Sequence, residues 1–189
     1  MMIFKHLDKK FVFSKKTETD LWRESSLAPL PPTSRYGLAF AALKRGFRVA
    51  ILTNVAGTEY LSKTPAKLTG RRSGKYVDRF MVLMEAQFEE RKKRAIELGL
   101  KEKRLKKINV RAIEEVLKTR GPSIMLTSAK FFDDQDWPHW VVLTGCDSEN
   151  FYVNDPGSVS KKGRRVFSKR EFEKIDSYYG DQVLISIFH

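Results

Sequence analysis

An α+β fold, with helices gathered in the first half of the chain and an antiparallel sheet in the second, is what the sequence predicts. Three patterns carry the prediction. Apolar residues recur at three and four positions through Tyr76, Phe80, Leu83, Met84 and Phe88, and again at Ile113, Val116 and Leu117, the period of a helix with one buried face. Two β-branched and aromatic runs, 138–145 and 151–156, flank the polar stretch Cys146-Asp147-Ser148-Glu149-Asn150, as an antiparallel hairpin requires. A last apolar, β-branched run, Val183-Leu184-Ile185-Ser186-Ile187-Phe188, ends one residue short of the final His189.

Taken in order, residues 1–16 alternate loosely, with Ile3-Phe4 and Phe11-Val12-Phe13 on either side of Asp8-Lys9-Lys10, and read as a short hairpin or an edge strand. Residues 17–26 read as a short helix capped near Thr17 or Thr19, with Trp22 turned to the core. The Pro-rich stretch 27–32 is a loop. Ser34 caps the next helix, whose apolar face is Leu38, Ala41 and Ala42 and whose stop is Gly46. Residues 47–52 then form a buried strand by length and β-propensity. From 53 to 74 the Gly, Thr, Ser, Pro and basic residues predict irregular structure with Arg71-Arg72 at its surface. The amphipathic helix begun at Tyr76 runs to about Leu98, before Gly99. Ile108-Asn109-Val110 reads as a short strand or lead-in, with Asn109 capping a helix over 111–120 that stops at Gly121. Residues 122–128 are a strongly apolar strand, and 129–137 a loop carrying Asp133, Asp134 and Asp136. Beyond the hairpin, 158–165 is a basic loop with Lys161-Lys162 and Arg164-Arg165. Ser168-Lys169-Arg170-Glu171 is a capping box that opens a helix to about Asp176.

A chain of 189 residues, 41% hydrophobic, buries one respectable core, so a single domain over 1–189 is expected. There is no apolar run of the length a membrane span needs and no signal-peptide core after Met1, which points away from the membrane and to a cytoplasmic protein. One Cys allows no internal disulfide and no Cys-based metal cage. The three His (His6, His139, His189) offer no ligand spacing, and the three Asp of 129–137 lack the Gly and Asn support of a cation loop, so neither metal nor cofactor is expected. The formal charge of +13 favours anionic partners and allows nucleic acid as one of them. The densest cations, over 91–107, read as a solvated helix end with Glu and Lys in i,i+4 pairs. Aromatic residues do not interleave with them, and no zinc-finger or Gly-rich phosphate motif accompanies them.

The hairpin holds the chemistry. With its turn centred near Ser148, Asp155 falls opposite His139 or one step off it, within reach of a cross-strand contact. A carboxylate beside an imidazole sets its tautomer and stabilises the imidazolium, which is what a general base serving a Ser or Cys nucleophile needs. A His that begins a strand and an Asp that precedes Pro are each ordinary placements as well, so the pairing alone leaves both readings open.

The wording of the segment goes further. His139-Trp140-Val141-Val142, then Thr144-Gly145, then an aromatic strand ending Asn154-Asp155-Pro156, resembles the His and Asp segments of the papain-like cysteine peptidases related to the bacteriocin-processing, double-glycine leader peptidases. Asp20-Leu21-Trp22-Arg23-Glu24, Tyr36-Gly37-Leu38-Ala39 and Lys44-Arg45-Gly46-Phe47 are similar to stretches that follow the nucleophile helix in an uncharacterised branch of that family. The resemblance covers 17–189 and leaves 1–16 as a divergent extension. It implies a papain-like fold with a shortened helical N-terminal half, with His139 as base, Asp155 as its orienter, and Trp140 and Asn154 along the substrate cleft. It also implies a nucleophilic Cys opening a helix near the N-terminus, preceded by a Gln. The only Cys here is Cys146, seven strand residues or roughly 23 Å from His139, beyond the approximately 3 Å that nucleophile and base need. About twenty residues precede Trp22, too few for the Gln-to-Cys segment and its helix, so that front of the pattern is expected to be lost, replaced, or left out of the reading frame.

Four functions follow. A non-catalytic relative that binds peptide or protein needs no missing parts. An active thiol peptidase, or an acyl-transferring relative, needs its nucleophile from an upstream segment or a partner. A basic nucleic-acid-binding module rests on charge. A Ser or Thr nucleophile, with Ser25, Ser26, Thr33 and Ser34 nearest the right region, competes with the commoner role of such residues as helix caps.

Overall fold

The structure, a computed structural model, describes residues 2–12, 14–27, 33–55, 57, 75–133, 138–156, 163–178 and 180–189. The chain divides into two compact units, one made of 1–49, 57–101 and His189, the other of 50–56 and 102–188. The Pro-rich stretch from 28 to 32, residues 58–74 with Arg71-Arg72, the side chains of Tyr76, Phe80 and Asp133, and Asp134, Asp136, Lys161 and Lys162 lie outside what is described.

The first unit is helical. Its elements are α1 (Met2–Leu7), α2 (Lys15–Ser25), α3 (Arg35–Leu43) and α4 (Lys75–Glu97). The expected N-terminal hairpin is instead α1. Ile3, Phe4 and Leu7 have helical rather than alternating spacing, and Phe4 stacks on Phe47 with centroids 5.2 Å apart. Ser14, not Thr17 or Thr19, caps α2 by accepting the Thr17 N–H. Trp22 is 53% exposed, because Leu21 and Ser25, four residues apart, take the inward face. Leu83 is likewise half exposed, since Met84, Phe88 and Ala95 form the buried stripe of α4. Ser34 caps α3 as its position predicts, and Gly46 (φ 82°) follows it. Gly37 lets α3 reach the end of α2: a Cβ there would lie 2.3 Å from the Ser25 carbonyl oxygen.

The second unit carries most of a seven-stranded mixed sheet in the order β2-β1-β7-β3-β4-β5-β6. Its strands are β1 (Arg48–Thr53), β2 (Lys101–Arg104), β3 (Ser123–Ser128), β4 (Pro138–Cys146), β5 (Asn150–Asp155), β6 (Gly163–Ser168) and β7 (Val183–Phe188). Strands β7, β3, β4, β5 and β6 pair antiparallel throughout. Among the described residues three helices accompany them, α5 (Val110–Arg120), α6 (Lys130–Asp133) and α7 (Lys169–Ile175). Ile113, Val116 and Leu117 of α5 and Phe172 and Ile175 of α7 bury against Met125, Val141, Leu143, Phe151, Val153 and Leu184. Asn109 and the Ser168–Glu171 capping box start α5 and α7 as their motifs predict.

Two strands depart from expectation. The strand before α5 is not Ile108–Val110 but the fully exposed Lys101–Arg104, a charged segment whose conformation is set by its place at the sheet margin rather than by propensity. Ile108 is buried beside it, its N–H donating to Gln182 Oε1 at 2.8 Å and its carbonyl accepting from Gln182 Nε2 at 3.0 Å. The second half of the expected basic loop, from Gly163, is strand β6, with Asp155 across from Gly163 and Val153 across from Arg165. Among the described residues no helix is long and apolar enough to cross a membrane.

Candidate functional site

The β4–β5 turn is built by Asp147. Its Oδ1 accepts the N–H groups of Glu149 and Asn150 at 2.7 and 2.6 Å, and the Tyr152 hydroxyl donates to its Oδ2 at 2.5 Å. The Tyr152 hydroxyl first, then those two N–H groups, hold the Asp147 carboxyl far below the ordinary range. Beyond a register shift between Leu143 and Gly145, Leu143 faces Val153 and Val142 faces Asn154. Continued to the open end, that register sets Asp155 diagonally from His139, two residues along and therefore on the same face.

The two side chains meet. His139 Nε2–H donates to Asp155 Oδ1 at 2.7 Å, with the carboxylate side chain fully buried and the imidazole 16% exposed. Burial strengthens this charge-assisted bond by keeping water from competing for either group. With Nε2 carrying the proton, Nδ1 is the basic nitrogen. Phe132 of α6 packs on the imidazole with centroids 5.4 Å apart and meets Phe167 edge-on at 5.9 Å. Arg165 also contacts Phe132: its guanidinium lies 5.2 Å from the ring centroid and donates to the Phe132 carbonyl at 3.4 Å. Thr127, across from His139 on β3, donates through its hydroxyl to the Ile175 carbonyl at 2.5 Å, tying the end of α7 to the strand beside the imidazole.

Phe132 and Arg165 were not singled out from the sequence. Phe131-Phe132 before the His strand was the one available hint. The sequence places Arg165 in a loop, because nothing in the Gly- and Lys-rich run up to it announces a register with β5.

Trp140 and Asn154 do not join the pair. Each is one residue from a member of it, and alternation along a strand sends neighbours to opposite faces, so both lie on the other side of the sheet. Cys146 is at the far end of β4, across from Phe151. Burial first, and then the nearby Glu114 carboxylate, push its thiol pKa up, which is the reverse of the activation a nucleophile needs. Of the hydroxyls weighed as substitutes, Ser25 donates to the Leu21 carbonyl at 2.7 Å and Ser34 accepts the Gly37 N–H at 2.9 Å. Both are working as helix-end groups.

The cations of α4 are interleaved with acceptors. Arg94 pairs with Glu90 at 2.6 Å, Lys92 lies 3.9 Å from Glu89, and Arg91 donates to the Arg23 carbonyl at 3.1 Å. Among the described residues no three His, Cys, Asp or Glu side chains gather in a way that would hold a metal ion.

A model of a family described as Peptidase C39-like matches residues 1–181. No curated protein matches the chain.

Proposed function

Since the chain belongs to the Peptidase C39-like family, we propose that His139 and Asp155 are the base and orienting carboxylate of a thiol-peptidase site in a papain-like body. With these residues alone that body binds peptide or protein without cutting it. The 2.7 Å bond from His139 Nε2 to the buried Asp155 carboxylate carries the reading. It supplies a base of defined tautomer, while the chain's only thiol sits at the opposite end of the same strand with its pKa raised.

A second reading draws on the same bond. Asp155 occupies Nε2 and leaves Nδ1 to accept a proton, the arrangement a thiol needs. A thiol brought within about 3 Å of Nδ1, from another segment or another polypeptide, would transfer its proton to the ring. Asp155 would stabilise the imidazolium, the thiolate would attack the peptide carbonyl, the ring would return its proton to the amine as the C–N bond breaks, and water would then release the acyl group from sulfur.

The purified chain, assayed with a fluorogenic peptide library, is expected to bind without turnover. Hydrolysis that appears only when a Cys-bearing polypeptide is added, survives Cys146→Ser and disappears in His139→Ala would move the conclusion to the second reading, whereas hydrolysis by the Cys146→Ser chain alone, which holds no thiol, would overturn both. Hydrolysis abolished by Cys146→Ser would overturn both.

A further inference from the structure

The sheet has two margins, and they differ in chemistry. At one, β2 is four residues long, every side chain is exposed, and Lys101-Glu102-Lys103-Arg104 presents both signs of charge. Short, charged strands of this kind are how sheets discourage further pairing. At the other, β6 has six residues with no Pro, and among the described residues no strand pairs its outer side. Alternate residues of such a strand direct their N–H and C=O groups away from β5. Its outward-facing side chains include Val166, 58% exposed, directly across from Tyr152, 40% exposed. Together they make a small apolar row beside the open backbone.

Charge decides what suits that margin. The described residues from 163 to 170 hold Arg164, Arg165, Lys169 and Arg170 and no carboxylate. Lys169 is paired with Glu114 at 2.6 Å and Arg165 lies over Phe132, whereas Arg164 on β6 is exposed. A second copy pairing edge to edge would bring the same cations against each other, so self-association is opposed by the charge that an anionic strand would satisfy.

We propose that the outer edge of β6 is a docking site for an extended acidic peptide segment, which adds to the sheet as a further strand. Its backbone takes up the open N–H and C=O groups, a carboxylate meets Arg164, and an alternate apolar side chain covers Val166. The bound segment lies three strand spacings from β4, about 14 Å, so it is held apart from the His139 base rather than presented to it.

The test is fluorescence anisotropy on the full chain with a short labelled peptide of alternating Glu and Val. Two N-methylated versions, each blocking one alternate set of backbone N–H groups, a Lys–Val peptide and a thymidine oligonucleotide of matching charge are run beside it. The expected result is binding by the Glu–Val peptide, loss with only one of the two N-methylated sets, and none with the Lys–Val peptide. Arg164→Glu, at an exposed position, is expected to weaken binding about fivefold with thermal unfolding unchanged. His139→Ala is expected to leave it unaltered, which separates this site from the proposed peptidase pair. Equal tolerance of both N-methylated sets, equal binding by the oligonucleotide, or indifference to Arg164→Glu would overturn the proposal.

Discussion

Asp176→Asn is expected to stabilise the chain above pH 6 and to leave it nearly unchanged near pH 4. Asp176 follows α7 and is only 5% exposed, and burial raises its carboxyl pKa from 3.8 to about 6 against the opposing pull of Lys107 and a hydrogen bond from Gln182 Nε2 at 2.9 Å. Between those two values the folded chain holds a proton that the unfolded chain has released. The contribution of this group to stability is therefore most favourable at the acid end of the window and is lost as pH rises through the folded pKa. A shift of about two units corresponds to roughly 3 kcal/mol of penalty at neutral pH. Asn keeps an oxygen for the Gln182 donor and carries no charge, so most of that penalty disappears. Urea unfolding of both proteins from about pH 4 to pH 8 should show a difference that grows with pH to about 2–3 kcal/mol, or several degrees in Tm. Other carboxylates titrate in the same range, but they are common to both proteins and cancel in the difference. A gap independent of pH, or a variant less stable than the parent at neutral pH, would refute the reasoning.

Asp155→Ala should leave the His139 ring without its buried acceptor. Nitrogen NMR is expected to report a single Nε2–H tautomer in the parent and a mixture in the variant, together with a loss of about 1–3 kcal/mol in urea unfolding. A parent already showing mixed tautomers would contradict the 2.7 Å bond. Gly37→Ala places a methyl 2.3 Å from the Ser25 oxygen and 2.7 Å from Ser25 Cα, both backbone atoms that cannot turn aside. It should cost about 2–3 kcal/mol by the same measurement. Ser168→Ala removes the hydroxyl that accepts the Glu171 N–H at 3.2 Å, and a drop of about 1 kcal/mol is expected from the lost cap.

Local rules read well wherever a segment's neighbours in sequence are also its neighbours in space. Ser34, Asn109 and Ser168 cap helices because the group each satisfies is three residues on. The β4–β5 hairpin forms because Asp147 bonds within its own turn. The proximity of His139 to Asp155 was legible for the same reason, since one short turn joins their strands. Two departures, the Ser14 cap and helix α1, lie within the reach of local rules, and the others are non-local. Lys101–Arg104 became a strand against its propensity, a choice its own four residues do not contain. Trp22 reads as inward as a large apolar residue and Leu83 from the helical spacing of its neighbours, yet a helix rotates about 100° per residue, and which stripe is buried depends on what packs there.

From its residues alone the chain determined its alternation of helices and strands, the cap and stop of most of them, the hairpin, and the presence of an imidazole and a carboxylate close enough to bond. Only the tertiary structure decided that Asp155 lies diagonal to His139 on the same face, that Trp140 and Asn154 lie on the other, and that Phe132 packs on the base with Arg165 against Phe132. It also decided that, among the described residues, β6 ends the sheet with no strand on its outer side. The physical reason is that hydrogen bonds and caps act over three or four residues, whereas register, sheet order and burial are set by contacts between segments tens of residues apart.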